Sequence, residues 1–297
     1  MTFEEINKTL TDEEAKKEVS RCLKCPRPLC KMKGCPAELR INEFMKAFFD
    51  GNEEEAYRII RTGSNLPLIC SRVCDHDSQC RGACVLNFKH MPIIPGNIER
   101  YLADKFAGQN EPFQPFDRDL SVAIIGSGPA GLSCALELAQ NGIQSTIFEK
   151  EKYFGGILSY GIPEYRLPKQ VVRQEIQKIE ALGVTFMLNC VVGKQLNIDD
   201  IFAQGYDAIF IGSGTALPKS LDIPGAELRG IIQATYLLHM ANIYNEGTVG
   251  RDKVPVIEGE HVAVMGCGNV AMDAARTAVR MGAASVTIVY RRTEADM

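Results

Sequence analysis

The stretch SVAIIGSGPAGLSCALELAQNGIQSTIFEK, Ser121 to Lys150, decides how the rest of the chain is read. Val122–Ile125 is a short apolar run of the kind that a parallel strand buried on both faces shows. Gly126-x-Gly128-x-x-Gly131 follows directly and opens a helical pattern with Leu132, Ala135, Leu136 and Ala139 on its apolar face. Gly142 ends that helix, and Ser145–Phe148 reads as a second parallel strand with Glu149 at its end. Gly126 allows the tight turn, Gly128 lets a pyrophosphate approach the backbone, and Gly131 lets helix and strand pack closely. Pro129 and Ala130 begin the helix, whose unpaired N–H groups and positive dipole end face the phosphates. Glu149 is placed to accept hydrogen bonds from an adenosine ribose. Strand, glycine loop, helix, strand and terminal acid in that order predict a dinucleotide-binding unit.

The pattern recurs. His261–Met265 reads as a strand, Gly266-x-Gly268-x-x-Ala271 as a second glycine loop that includes Asn269 and Val270, Met272–Arg280 as a helix and Val286–Val289 as a second strand. This unit ends in Tyr290-Arg291-Arg292 instead of an acid. Paired arginines there suit the 2′-phosphate of NADP, and the plainer alternative is a solvated strand end. Between the two units lies GGILSYGIPEYRLPK, Gly155 to Lys169, too rich in Gly and Pro for a helix or central strand and too apolar for a solvent loop. It suits close backbone approach to a large flat ligand, with Gly156 and Arg166 as candidate contacts. A helix (170–182), a strand (184–188) and a buried-strand run (207–211) follow, the last ending in Gly212-Ser213-Gly214-Thr215, where Gly214 is a further cofactor candidate.

The main composition shift lies upstream. Eight of the eleven cysteines fall within the first 84 residues, as Cys22-x2-Cys25-x4-Cys30-x4-Cys35-Pro36 and Cys70-x3-Cys74-x5-Cys80-x3-Cys84. Thr11-Asp12-Glu13-Glu14 predicts a capping box at the start of a helix leading to the first cysteine, and helical segments are predicted at Ile41–Phe49 and Glu53–Arg61. Runs of Cys ending in Cys-Pro point to iron–sulfur ligation. Structural zinc is the alternative, but its usual paired Cys-x2-Cys knuckles are matched only by the first spacing. His76 and His90 lie off any zinc spacing and read as surface-loop residues. Cys70, in an apolar context, reads either as an eighth ligand or as a buried free thiol, and Cys134, Cys190 and Cys267 as packing residues. Glu111–Phe116, with two prolines, reads as the linker into the nucleotide units.

At 297 residues, 45% hydrophobic and 24% charged, the composition is that of an ordinary globular protein with about two domains or three small ones. The net charge of −4 and the lack of a basic stripe argue against nucleic acid. No apolar run reaches membrane-span length, the N-terminus is acidic and polar, and a cytoplasmic location is expected. No Ser/His/Asp arrangement or poised carboxylate pair is legible, so no acid–base catalytic residue is assigned.

Taken together, the Cys run ending in Cys-Pro, the NLPLICSRVC stretch (Asn65 to Cys74), GGILSYGIPEYRLPK and the GCGNVAMD run (Gly266 to Asp273) followed by YRRT resemble the small (beta) subunit of NADPH-dependent glutamate synthase. The same module is similar to the N-terminal half of dihydropyrimidine dehydrogenase and to ferredoxin–NADP oxidoreductases of anaerobes. The resemblance implies an α/β flavoprotein with two dinucleotide-binding units, preceded by a helical domain with two 4Fe–4S clusters. The expected boundaries are 1–116 for the cluster domain, 117–225 for the first part of the FAD domain and 226–297 for an incomplete NADPH domain. The first glycine loop would take FAD and the second NADPH. One cluster would be held by Cys22, Cys25, Cys30 and Cys84, the other by Cys35, Cys74, Cys80 and Glu99. Cys30 and Cys35 are separated by four residues where the family more often has three, so the turn at Gly34 must absorb a residue.

The implied activity is oxidation of NADPH, with electrons passing through FAD and the clusters to a large catalytic subunit of glutamate synthase type or a ferredoxin-like acceptor. A dihydropyrimidine-dehydrogenase-type subunit and a non-catalytic electron-carrying adaptor are the alternatives. The second unit has only two legible strands where a mononucleotide half needs a third. The chain is therefore expected to be a fragment that exposes apolar sheet surface, holds FAD weakly and turns over NADPH poorly.

Overall fold

In the computed structural model, which describes residues 2–89, 91–109, 116–215, 217, 218 and 222–296, Thr11 caps the first helix, α1 (Asp12–Ser20). Its hydroxyl accepts from the Glu14 N–H and its own N–H donates to the Glu14 carboxylate. Helices α2 (Ile41–Phe49) and α3 (Glu53–Arg61) form where their apolar spacing predicts. Ile41, Phe44, Met45 and Phe48 are buried on one face of α2, and Asn52 caps α3. α4 (Pro67–Val73) and α5 (Pro95–Lys105) each begin with Pro at the first helical position, where no N–H is missed. His90 and the segment 110–115, most of the expected linker, lie outside the described residues.

The first nucleotide unit is a parallel sheet in the order β3-β2-β1-β4, formed by β1 (Ser121–Ile125), β2 (Gln144–Phe148), β3 (Thr185–Met187) and β4 (Ala208–Ile211). Helices α6 (Pro129–Gln140), α7 (Ile157–Tyr160), α8 (Lys169–Ala181) and α9 (Ile198–Ala203) belong to this unit. Two expectations need correction. The glycine- and proline-rich segment is not free of helix, since α7 makes one turn between Gly156 and Gly161. β4 forms as expected but is an edge strand and not a buried one, leaving Ile211 66% exposed. The helices of the cysteine region and this unit share one continuous apolar core, from Phe44 and Leu68 to Leu132 and Ile147.

The second unit contains α10 (Ala234–Asn245), β5 (His261–Met265), α11 (Asn269–Arg280) and β6 (Ser285–Val289), with β5 and β6 paired in parallel. Its sheet exposes apolar surface, Met265 at 58% and Val289 at 43%. Among the described residues no helix is long and apolar enough to cross a membrane.

The glycine-rich segment joins the two units. Lys169 Nζ, buried, donates to the carbonyls of Leu158, Ile162 and Leu167 and so gathers the segment around itself. Tyr165 Oη donates to the Asp273 carbonyl at 3.1 Å, and the Arg166 guanidinium meets Asp273 Oδ2 at 2.6 Å. Asn242 Nδ2 donates to the Tyr160 carbonyl from α10. A further tie runs to the cysteine region, where Glu175 Oε1 on α8 accepts from the Leu68 N–H in the first turn of α4.

Burial raises the Asp273 carboxyl above its ordinary range, and Arg166 opposes that shift. The folded value therefore lies above the unfolded one, so ionising Asp273 costs stability as pH rises, and Arg166 limits the cost. Arg166→Ala is expected to lower stability by about 2 kcal/mol at pH 7, the scale of a partly buried charged contact. The deficit should shrink from pH 7 to pH 4, as a carboxyl raised by burial takes up its proton and needs Arg166 less. Urea unfolding of both proteins at the two pH values measures it.

Candidate functional site

The first glycine loop is shaped by contacts that leave no room for side chains. Gly126 has φ +99°, and a Cβ there would stand 2.6 Å from the Gly212 carbonyl oxygen, at the end of β4. A Cβ on Gly131 would stand 2.0 Å from the Gly126 oxygen, which is the close packing of α6 on its strand. Gly128 caps α6 without a side-chain hydrogen bond and has open space beside it. The first N–H groups of α6 thus face an unobstructed surface, the arrangement that binds phosphate. A Cβ on Gly156, at φ +53°, would stand 3.0 Å from Gly128 Cα, so a second backbone segment passes close to the loop.

Glu149 sits at the end of β2, where the sequence places it, and is held by protein donors. It is 4% exposed. Its Oε2 accepts from the Ser127 N–H at 2.9 Å and the Ser127 hydroxyl at 2.5 Å, and its Oε1 accepts from the Glu151 N–H at 2.9 Å. Ser127 Oγ accepts in turn from the Gly155 N–H. The carboxylate therefore ties the glycine loop to the segment after β2, with Oε1 keeping one acceptor position.

The second loop repeats the geometry. Gly266 has φ +109°, Gly268 caps α11 without a side chain and opens on space, and Asn269 and Val270 form the first turn. Arg291 and Arg292 are exposed just past β6. Cys267 packs its sulfur 3.9 Å from that of Met272. Arg166, a candidate for cofactor contact, is committed to Asp273, and Gly214 has left-handed backbone at φ +70° with open space beside it.

The cysteines form two neighbouring groups. Cys22, Cys25, Cys30 and Cys84 line a single small cavity walled by Leu29, Ile41, Met45 and Ile93. Burial pushes the Cys30 thiol up to about 11, with Cys22, Cys84 and Cys25 adding to it. The extra residue between Cys30 and Cys35 is absorbed by a π-helical turn, Cys30–Gly34, in which the Cys35 N–H donates to the Cys30 carbonyl at 2.9 Å. Gly34 makes that turn possible, because a Cβ there would stand 2.9 Å from Cys80 Cα and 2.8 Å from the Gln79 oxygen.

In the second group, burial pushes Cys80 up to about 12, and Glu99 and then Cys35 add to the shift. Glu99 is buried, its Oε1 has no hydrogen-bond partner among the described residues, and burial holds its carboxyl well above the usual range. Cys74 is exposed at the end of α4, beside Cys70. Cys70 is packed close to Glu99 and is raised by Cys74 and by burial. Among the described residues no three His, Cys, Asp or Glu side chains converge on an ion-sized point. Thiols around a cavity and an orphaned carboxylate oxygen fit a larger polynuclear group. His76 is not the surface residue expected, since it is half-buried with its ring against Gly96, where a Cβ would stand 2.2 Å from it.

Residues 120–295 match the family described as pyridine nucleotide-disulphide oxidoreductase. The chain belongs to that family. Residues 1–111 match dihydropyrimidine dehydrogenase domain II, 4Fe-4S cluster. The chain is 35% identical over 300 residues to the glutamate synthase [NADPH] small chain of Escherichia coli (strain K12), across 99% of this chain and 63% of that one. It is 37% identical over 292 residues to the NADP(+)-dependent formate dehydrogenase subunit beta of Moorella thermoacetica, across 90% of this chain and 40% of that one. The chain thus spans 40 to 63% of the length of these relatives. Among solved structures, Mycobacterium tuberculosis FprA in complex with NADPH is similar over 59% of this chain and 44% of that chain, with a TM-score of 0.50 and 26% identity.

Ser127→Ala removes the hydroxyl between Glu149 and Gly155 and strands a buried N–H. A loss of about 1–3 kcal/mol in unfolding free energy is expected. The Gly155 amide should also exchange hydrogen faster, as read by mass spectrometry.

Proposed function

We propose that this chain is the electron-input module of an NADPH-dependent flavin and iron–sulfur oxidoreductase of glutamate synthase small-chain type. The observation that carries the reading is the presence in one chain of two glycine-loop units and a cavity walled by four cysteines. In this reading the first loop takes FAD and the second NADPH. Bound FAD and 4Fe–4S clusters supply the conversion of a hydride into single electrons.

The chain's own residues place and insulate these groups. The N–H groups after Gly128 and Gly268 would hold the two pyrophosphates, and Gly156 leaves room for the flavin side. Arg291 and Arg292 would meet the 2′-phosphate with charge-assisted hydrogen bonds. Cys22, Cys25, Cys30 and Cys84 would hold one cluster, and Cys35, Cys74, Cys80 and Glu99 the other. The orphaned Glu99 oxygen supports its place in that set. The acceptor is a glutamate synthase large chain. A second reading, with a different reductase as acceptor, is favoured by the similarity to a formate dehydrogenase subunit. Mixing the chain with a glutamate synthase large chain, then following NADPH oxidation dependent on glutamine and 2-oxoglutarate, separates the two.

The chain reconstituted under anaerobic conditions is expected to carry about eight iron and eight acid-labile sulfides. Glu99→Ala should perturb the second cluster alone, and Cys70→Ser should leave both intact. Zinc without labile sulfide would overturn the cluster assignment.

Replacing both Arg291 and Arg292 by Ala is expected to weaken NADPH binding by tenfold or more, at about 1.5–3 kcal/mol per charged hydrogen bond. NADH binding should barely change. Titration of intrinsic fluorescence or calorimetry with each nucleotide checks this, and equal affinity of the unmodified chain for both would refute it.

A further inference from the structure

The glycine-rich segment from Gly155 closes on its own last residue, Lys169. That lysine is 3% exposed, and its Nζ donates to the carbonyls of Leu158 at 3.0 Å, Ile162 at 2.5 Å and Leu167 at 3.2 Å. Its backbone N–H donates to Glu164 Oε2 at 3.0 Å, a second closure of the same turn. An ammonium has three N–H groups and a neutral amine two, so only the charged form satisfies all three carbonyls. The bends held in this way set Gly156 beside Gly128 of the first glycine loop. They also offer the Tyr160 carbonyl to Asn242 and bring Tyr165 and Arg166 to Asp273.

A charge at that depth is costly. Burial lowers Lys169 from its ordinary 10.5 to about 8, against the opposing pull of Glu164, Glu246 on α10 and Asp273 on α11, while Arg173 on α8 adds to the lowering. The amine is not sealed in. It lines a cavity of about 220 Å³ between α8 and α10, together with Tyr153, Tyr160, Gln177 and Asn242, and this gives a proton a way out. Lys152 and Glu180 lie on the same cavity. Burial also pushes Tyr160 up to about 12 and takes His239, stacked on it, below its usual range, so neither changes charge where Lys169 does. Because the folded value of Lys169 lies below the unfolded one, the unfolded chain binds more protons between pH 8 and 10.5, and losing this proton adds to the stability of the fold. What the loss weakens is the three-carbonyl hold, by leaving one carbonyl without its donor.

We infer that Lys169, in its charged form, is the positioning residue that sets the flavin-facing segment against the first glycine loop, so that FAD binding and protonation of Lys169 support each other. The inference rests on the proposed FAD site. Lys169 touches no cofactor in this role and acts through the backbone that carries Gly156. By reciprocity, FAD that favours the three-carbonyl arrangement makes Lys169 take up a proton when it binds above pH 8.

The test uses the unmodified chain with FAD as the probe, followed by flavin fluorescence from pH 6.5 to 9.5, with circular dichroism checking the fold at each pH. The FAD dissociation constant is expected to stay level to about pH 7 and to rise at least tenfold by pH 9.5, as the competent fraction falls. Calorimetry at pH 8.5 in two buffers of different ionisation enthalpy should show net proton uptake on binding. Lys169→Met should bind FAD weakly at every pH, and Lys169→Arg, charged throughout, should show no rise between pH 7 and 9.5. The first two measurements need no variant, so they decide the matter even where Lys169→Met fails to fold. An FAD affinity independent of pH, absence of proton uptake, or a pH dependence that persists in Lys169→Met overturns this inference alone. FAD bound at no pH overturns the electron-input reading, and this inference falls with it.

Discussion

The buried carboxylate of Glu149 is the constraint on which the first nucleotide unit depends. A charge at that depth is tolerated only with hydrogen bonds, and it has three, all from the loop and the segment after β2. Ser127 takes part twice, donating to Glu149 and accepting from Gly155. The end of β1, the end of β2 and the glycine pair Gly155–Gly156 are thereby held as one object. The helix N-terminus that would face a phosphate and the backbone that would face a flavin are fixed by the same side chain.

From that unit the order spreads in two directions. Toward the cysteines, the apolar core is continuous, and Glu175 caps α4, the helix that carries Cys70 and leads to Cys74. Glu5 then bridges Arg72 on α4 and Arg100 on α5, the residue after Glu99. Toward the second unit, Tyr165 and Arg166 hold Asp273 on α11, while the Thr2 carbonyl accepts from Arg280. The N-terminal segment therefore touches both extremes of the chain's chemistry. Electron transfer demands fixed separations between redox groups, and these ties fix the elements that would bear them.

Local signals were legible in the sequence because each is settled within a few residues. The capping box at Thr11, the apolar spacing of α2 and α3 and both glycine loops needed no distant partner to be read. The π-helical turn at Cys30 was visible only as a spacing anomaly, since its stability comes from Gly34 lying against a loop some 45 residues further along. The pairing of Arg166 with Asp273, the burial of His76 on Gly96 and the exposure of β4 depend on contacts between remote segments, which residue patterns do not encode. For Glu149 the position was legible and its hydrogen bonds from Ser127 and Glu151 were not, because they depend on how the loop and the segment after β2 fold against each other.

In the proposed reading, Arg291 and Arg292, which follow a strand beside a glycine loop, would act with the N–H groups of α11 on one phosphate. Charge-assisted contacts of that kind discriminate between ligands that differ by a single group, which a helix N-terminus alone does not, because its N–H groups meet any pyrophosphate alike. Selection of the nucleotide would then rest on two exposed side chains past β6, and its anchoring on the glycine loop.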